Sequence, residues 1–258
     1  MNHDKILRSI HHFFDPSLPR LAPGDEAATR RALETLLGKT PAEAPGTPLR
    51  IADMGCGNGA STLCLARFTG GHIQALDYHQ PYLDELRRRA VTAGLDGHIT
   101  TVCADMAGWS PGEATCDLVW CEGSAFVVGM AEALRSWFGY LTPGGGLGVT
   151  ELVWLDDEAP RECRRFYEDW YPTMTDVPTN LSMAQACGFE VVDHFALSEE
   201  TWWQSFYHPL ENRLAGYRSP WDDQEAQLVM EMIHGEIDAY RRFSRHYGYV
   251  FFLLKKPA

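Results

Sequence analysis

Nothing in the 258 residues approaches the ~20-residue apolar run that a membrane span requires. The opening Met-Asn-His-Asp-Lys is not a basic stretch leading into an apolar one, so no secretory leader is expected. Basic residues are scarce: 22 Lys and Arg stand against 35 Asp and Glu, a formal net charge of -13. A surface of that sign repels phosphate backbones and anionic lipids, which argues against nucleic-acid and membrane partners. Paired cysteines are missing as well. The seven present (Cys56, Cys64, Cys103, Cys116, Cys121, Cys163, Cys187) are odd in number and include no Cys-x-x-Cys. That spacing suits neither a disulfide framework nor a zinc site, so reduced thiols in a cytoplasmic protein are expected. The ten histidines form no His-Glu-x-x-His, and no metal is expected.

What remains is an ordinary packed composition, 45% hydrophobic and 22% charged, without internal repeats. Residues 1–48 read as a helical cap. Asp25, after the turn Pro23-Gly24, can cap a helix through Leu33 and Leu36 to Gly38, and Pro41, Pro45, Gly46 and Pro48 then form a linker. Residues 49–258 read as the main domain. Strands are predicted over 49–54, 72–76, 99–104, 117–121 and 147–154, separated by helical segments at 60–68, 82–93 and 127–140. That alternation indicates a parallel sheet with crossover helices. The turn Thr142-Pro143-Gly144-Gly145-Gly146 is expected to deliver the fifth strand. The last hundred residues break the rhythm. Helices are predicted over 161–171, 178–186 and about 222–245, a Trp/Tyr-rich stretch over 202–207, and strands over 190–196 and 249–254. The segments around 155–180 and 199–245 read as lid insertions over a substrate.

Ile51-Ala52-Asp53-Met54-Gly55-Cys56-Gly57-Asn58-Gly59-Ala60 is the most informative segment. Gly55, Gly57 and Ala60 satisfy the loose G-x-G-x-x-G/A pattern of a dinucleotide loop, which by itself asks only for a tight strand-to-helix turn. Asp53, two residues before the first glycine, changes the balance. A pyrophosphate at this helix N-terminus meets a like charge, whereas an ammonium group is attracted. Asp77 ends the second strand, about where an acid grips ribose hydroxyls, and Asp105 ends the third, within reach of an adenine amine. An amino acid joined to ribose and adenine describes S-adenosyl-L-methionine.

Asp53-x-Gly55-x-Gly57-x-Gly59, Asp77, Asp105, the Asp117 strand and Leu141-x-Pro143-Gly144-Gly145 together resemble the ordered motifs of class I S-adenosylmethionine-dependent methyltransferases over about residues 49–154. Within the class, Ala22-Pro23-Gly24-Asp25, Glu122-Gly123-Ser124, Asp169-Trp170-Tyr171-Pro172 and Tyr247-Gly248-Tyr249-Val250-Phe251 look closest to small-molecule methyltransferases of the ubiquinone/menaquinone-biosynthesis type and their uncharacterised bacterial relatives. The resemblance implies an α/β, Rossmann-like, seven-stranded and mostly parallel sheet with a reversed last strand and helices on both faces. It also implies S-adenosyl-L-methionine as cofactor, S-adenosyl-L-homocysteine as product, and a small-molecule substrate methylated at N or O, with C as a further option. A homodimer is compatible with it. By the same resemblance, Asp53, Gly55, Gly57, Asn58 and Gly59 hold the methionine moiety, with Asp53 towards the amino group. Asp77 takes the ribose hydroxyls, Tyr78 lies beside the adenine, and Asp105 and Met106 take the exocyclic amine and one adenine face.

Methyl transfer is an in-line displacement, in which the protein supplies alignment and, where the nucleophile carries a proton, a base. Glu122 and Glu151 stand at or near carboxyl ends of strands, where ligands of open α/β sheets bind. Glu122 is the first choice for catalysis and for contact with the cofactor, and His246 is a second base. Asp25, Tyr171, Trp203, Tyr207 and Tyr247 are the expected substrate residues, and Arg20 a residue closing over the pocket. The aromatic C-terminal third can form either a water-excluding lid or simply core. Two readings compete with the methyltransferase. One is an NAD(P)-dependent oxidoreductase using the same loop, and the other a non-catalytic S-adenosylmethionine-binding regulator.

Overall fold

The computed structural model describes residues 3–38, 47–217 and 224–258. The strands β1 (Arg50–Met54), β2 (His72–Asp77), β3 (Ile99–Cys103), β4 (Cys116–Cys121), β5 (Leu141–Trp154), β6 (Glu190–Ala196) and β7 (Tyr247–Lys255) form one sheet in the order β3-β2-β1-β4-β5-β7-β6. Strands β1 to β5 pair in parallel, and β7 runs antiparallel between β5 and β6. The fold is therefore the expected seven-stranded sheet with one reversed strand. Its helices are α1 (His3–Phe13), α2 (Glu26–Leu37), α3 (Ala60–Thr69), α4 (Gln80–Ala93), α5 (Met130–Tyr140), α6 (Arg161–Trp170), α7 (Val177–Ala186), α8 (Glu199–Trp202), α9 (His208–Gly216) and α10 (Gln224–Phe243).

Side-chain alternation along the strands sends each residue to one face or the other. Ala52, Val119, Cys121, Val149, Phe252 and Leu254 join one core cluster with α5 and α7. Ile51, Leu118, Trp120, Phe251 and Leu253 join a second, with α2, α3 and α4. A third cluster lies beyond the sheet, where Phe13 of α1 meets Tyr167, Trp202, Tyr207, Ile233 and Tyr240. The expected cap over 1–48 is thus divided: α2 packs into the second cluster and α1 into the third. Asp25 caps α2 as read, its carboxylate accepting from the Ala28 amide at 2.7 Å. Of the expected linker only Pro48 belongs to the described residues, and the start of the helix expected from 222 lies outside them.

Three local expectations are corrected. The helix expected over 127–140 breaks at Gly129, whose φ of 82° is left-handed, into a 3-10 turn (Ala125–Val127) and α5. Residues 142–146 are the first part of β5 rather than a free turn, and the register against β4 shifts between Cys116 and Leu118 to absorb them. The aromatic stretch is helical, with a π-turn over Trp203–Tyr207 joining α8 to α9.

Gly148 pairs with Trp120 at the centre of the sheet, where a methyl group would overlap the indole ring. Replacing Gly148 with Ala is expected to destabilise the protein by about 1–3 kcal/mol through overpacking. A urea midpoint lowered at unchanged m-value checks this.

Candidate active site

Leaving β1, the chain turns through Gly55, Gly57 and Gly59 with φ of 69°, 53° and 85°, a backbone that side-chain-bearing residues rarely adopt. Three hydrogen bonds fix the turn: Cys56 N to the Leu76 carbonyl at 2.8 Å, Gly59 N to the Cys56 carbonyl at 3.0 Å, and Gly57 N to Asp77 Oδ2 at 2.9 Å. A Cβ at Gly55 would collide with Ser124 and Met106, and one at Gly59 with Leu86. Those two glycines serve packing. Gly57 borders open space, its nearest neighbour the Leu21 side chain at 3.0 Å from such a Cβ.

That space is a cavity of about 360 Å³ at the carboxyl edge of the parallel strands. Of the expected cofactor residues, Gly55, Gly57, Asn58, Asp77, Tyr78 and Glu122 line it. Asp53, Gly59, Asp105 and Met106 do not. Asp53 is fully buried behind the loop, with Oδ2 accepting from the Thr62 hydroxyl at 2.6 Å and Oδ1 without a partner. Burial pushes its carboxyl up to about 7, outweighing the Thr62 bond. Asp105 is exposed and accepts from the Ala107 amide at 2.9 Å, as a turn former does, while Met106 packs on the first cluster. Asp77 is buried, and desolvation raises its carboxyl despite the amides of His79 and Gly57.

The N-terminal segment roofs this cavity with Ile10, His11, Phe14, Arg20 and Leu21. Asn58 Nδ2 donates to the Leu18 carbonyl at 2.6 Å, Arg89 Nη2 to Leu18 at 2.8 Å and to Pro16 at 3.0 Å, and the Tyr82 hydroxyl to Phe14 at 2.7 Å. His11 Nε2 lies 2.6 Å from the Tyr78 hydroxyl, and its ring stacks on His79 at 3.6 Å. Burial and the neighbouring His79 lower the His11 pKa, favouring a neutral ring. None of these roof residues except Arg20 was singled out from the sequence, which carries no motif for them.

Glu122 is held by three donors: Thr29 Oγ1 at 2.7 Å and Trp120 Nε1 at 2.8 Å on one oxygen, and Arg20 Nη2 at 2.5 Å on the other. Three of a carboxylate's roughly four acceptor sites are filled, and the charge is neutralised by Arg20. The expectation of Glu122 as a base is revised on that geometry; it is the anchor of the roof. His246 lines neither cavity found here. Its buried Nδ1 lies 3.0 Å from both Asp156 carboxylate oxygens and its Nε2 accepts from Arg245 Nε at 3.0 Å, so the catalytic expectation is corrected to a structural pair.

A second cavity of about 280 Å³ adjoins the first, sharing Ile10, Phe14, Phe126, Glu236 and Tyr249 with it. Tyr171 lines it, as expected, and donates to Glu151 Oε1 at 2.8 Å. Burial pushes the Glu151 carboxyl up to about 7. The other expected substrate residues stand off. Asp25 is a helix cap; Trp203 packs on Tyr207 beneath the Arg241 guanidinium; Tyr247 is buried against Tyr167. Tyr207 is also buried, but its hydroxyl donates to Glu236 Oε1 at 2.9 Å and so orients a wall of both cavities. Sequence reasoning missed Glu236. Its signal is an acid on the apolar stripe Val229, Ile233, Ile237 and Tyr240 of α10.

Residues 51–145 match the family model of a methyltransferase domain. Trans-aconitate 2-methyltransferase of Streptomyces coelicolor is 35% identical over 121 residues, covering 46% of this chain and 39% of its own. Sterol 24-C-methyltransferase erg-4 of Neurospora crassa is 27% identical over 176 residues, covering 64% and 46%. The chain thus spans less than half the length of these curated relatives. In structure it is similar to a SAM-dependent methyltransferase from Thiobacillus denitrificans in complex with S-adenosyl-L-homocysteine (TM-score 0.73, 21% identity, 98% of each chain) and to YjhP from E. coli (0.80, 21%, 96% and 98%). The chain therefore carries a methyltransferase domain within the class I S-adenosylmethionine-dependent methyltransferase fold.

Two outcomes follow from the buried charges. Arg20→Met leaves Glu122, 4% exposed in its side chain, without a counter-ion. Removing one partner of such a pair is expected to cost about 3–5 kcal/mol, read by denaturant titration, with Arg20→Met/Glu122→Gln recovering part of the loss. Glu151 carries a folded-state pKa raised from 4.5 to about 7. The folded state then binds more protons than the unfolded chain between those values, so stability is full below the unfolded pKa and falls as pH rises to about 7. The contribution is on the order of 3 kcal/mol. Glu151→Gln is expected to flatten the fall of Tm between pH 5 and 7.5, Asp53 retaining the remainder.

Proposed function

We propose that this chain is an S-adenosylmethionine-dependent methyltransferase acting on a small molecule. One observation carries the reading: a left-handed glycine turn and the Asp77 carboxylate face one cavity, and that cavity opens into an apolar chamber. The residues fit the cofactor. Gly57 leaves a cradle that a side chain would fill, Asp77 offers acceptors for hydroxyl groups, and the orphaned Asp53 Oδ1 favours a nearby cation. A diphosphate fits poorly, because the cavity's acids (Asp77, Glu122, Glu236) outnumber its one arginine, which is already paired. That balance also favours the methyltransferase over the oxidoreductase.

Bound S-adenosyl-L-methionine supplies a sulfonium methyl group as electrophile. The chain's own part is positional. The glycine turn and Asp77 fix the cofactor's polar ends, and the roof of Ile10, Phe14 and Leu21 excludes water. The second cavity holds the nucleophile against the first. The relatives' names include an aconitate and a sterol. The second cavity, lined by no Lys, Arg or His, supports an apolar acceptor over a polyanion. The excess of acid and the unpaired cysteines support a cytoplasmic enzyme without nucleic-acid or membrane partners; among the described residues no helix is long and apolar enough to cross a membrane.

Calorimetry tests the reading directly. S-adenosyl-L-homocysteine is expected to bind and NADH not to, and preference for NADH overturns the proposal. Asp77→Ala is expected to weaken S-adenosyl-L-homocysteine by about 1–3 kcal/mol, the range for lost hydrogen bonds to a buried acceptor.

A further inference from the structure

Glu236 is the one carboxylate shared by both cavities, and its surroundings are one-sided. Tyr207 donates to Oε1, and burial raises its carboxyl. Among the described residues no donor reaches Oε2, and no cationic side chain lines the second cavity. Facing it are Phe14, Phe166, Trp170, Trp202 and Tyr249. A carboxylate in such surroundings is stabilised by a cation with its own apolar body, and aromatic faces attract the same cation. A neutral alcohol answers only the hydrogen-bonding need, and a carboxylate opposes the site.

We propose that the second cavity binds an apolar amine, its ammonium group seated on Glu236 at the junction of the two cavities. This deepens the methyltransferase reading and rests on it. Position at the junction also gives Glu236 a chemical part. The ammonium passes one proton to the Glu236 carboxylate, which becomes a carboxylic acid. The freed nitrogen lone pair forms the N–CH3 bond. The S–CH3 bond breaks with its electron pair going to sulfur, leaving S-adenosyl-L-homocysteine and an N-methylated ammonium. Tyr207 is a positioning residue, holding the acid's other oxygen.

Three probes with one skeleton test this: 4-phenylbutylamine, 4-phenylbutan-1-ol and 4-phenylbutyrate, titrated by calorimetry with and without saturating S-adenosyl-L-homocysteine. The amine is expected to bind at least tenfold tighter than the alcohol, and the acid not to bind. In Glu236→Gln the amine is expected to fall to the alcohol's affinity while the alcohol is unchanged. Tyr207→Phe is expected to narrow the preference without abolishing it. Equal binding of amine and alcohol, preference for the acid, no binding of the amine, or a preference surviving in Glu236→Gln each overturn the proposal. The wild-type comparison alone decides the matter where a variant fails to fold. S-adenosyl-L-homocysteine titrated by itself reports the methyltransferase reading separately, so the two can fail independently.

Discussion

The buried pair between Arg20 and Glu122 is the constraint on which the site depends. Glu122 follows the strand at the centre of the sheet, and Arg20 belongs to a segment with no sheet pairing of its own. Their contact, with Thr29 and Trp120 as further donors, ties helix α2, the preceding loop and the sheet edge to one carboxylate. Two charges taken from water repay their desolvation only when the geometry is complete, so the segment is held in one place rather than many. Asn58, Tyr82 and Arg89 then bind the carbonyls of residues 14–18, completing a roof whose backbone would otherwise lack partners. The first cavity exists because that roof is fixed.

The second cavity is made differently. It has no ion pair, and its walls come from α1, α6, α10 and the end of β5, elements whose rings pack face to edge. Trp202 stacks on Tyr240 at 4.1 Å and Tyr167 stands against Tyr247 at 4.6 Å. Most of the aromatic third of the chain is therefore core, and the subset left facing space is set by helix phase. A polar, well-anchored chamber beside an apolar one divides the labour that alignment chemistry requires.

Much of the fold was legible because its signals are local. Glycines in a strand-to-helix turn, Asp25 before a helix, and apolar runs at regular spacing each state their structure within a few residues. The parts of the site that were hidden are nonlocal. Glu236 lies more than 180 residues beyond Gly55, and only packing of α10 over the sheet edge brings it to the cofactor cavity. His246 had the chemistry of a base but belongs to a pairing with Asp156 that no spacing announces. Glu122 was placed rightly at the strand end, yet Arg20, about a hundred residues earlier, decides what it is free to do. The C-terminal rings were indistinguishable in sequence because burial in core and burial in a cavity wall select the same side chains.

The π-turn at Trp203–Tyr207 has a consequence for how this lobe tolerates change. Such a turn is an α-helix carrying one additional residue. Excising that residue would restore a regular spiral and swing everything downstream by about 100°. Leu210 and Leu214 would then leave the hydrophobic cluster they now complete, and Arg213 would abandon the His12 carbonyl and Asp15. A single-codon deletion here would thus be felt at the start of the chain, whereas lengthening the exposed end of the same helix would not.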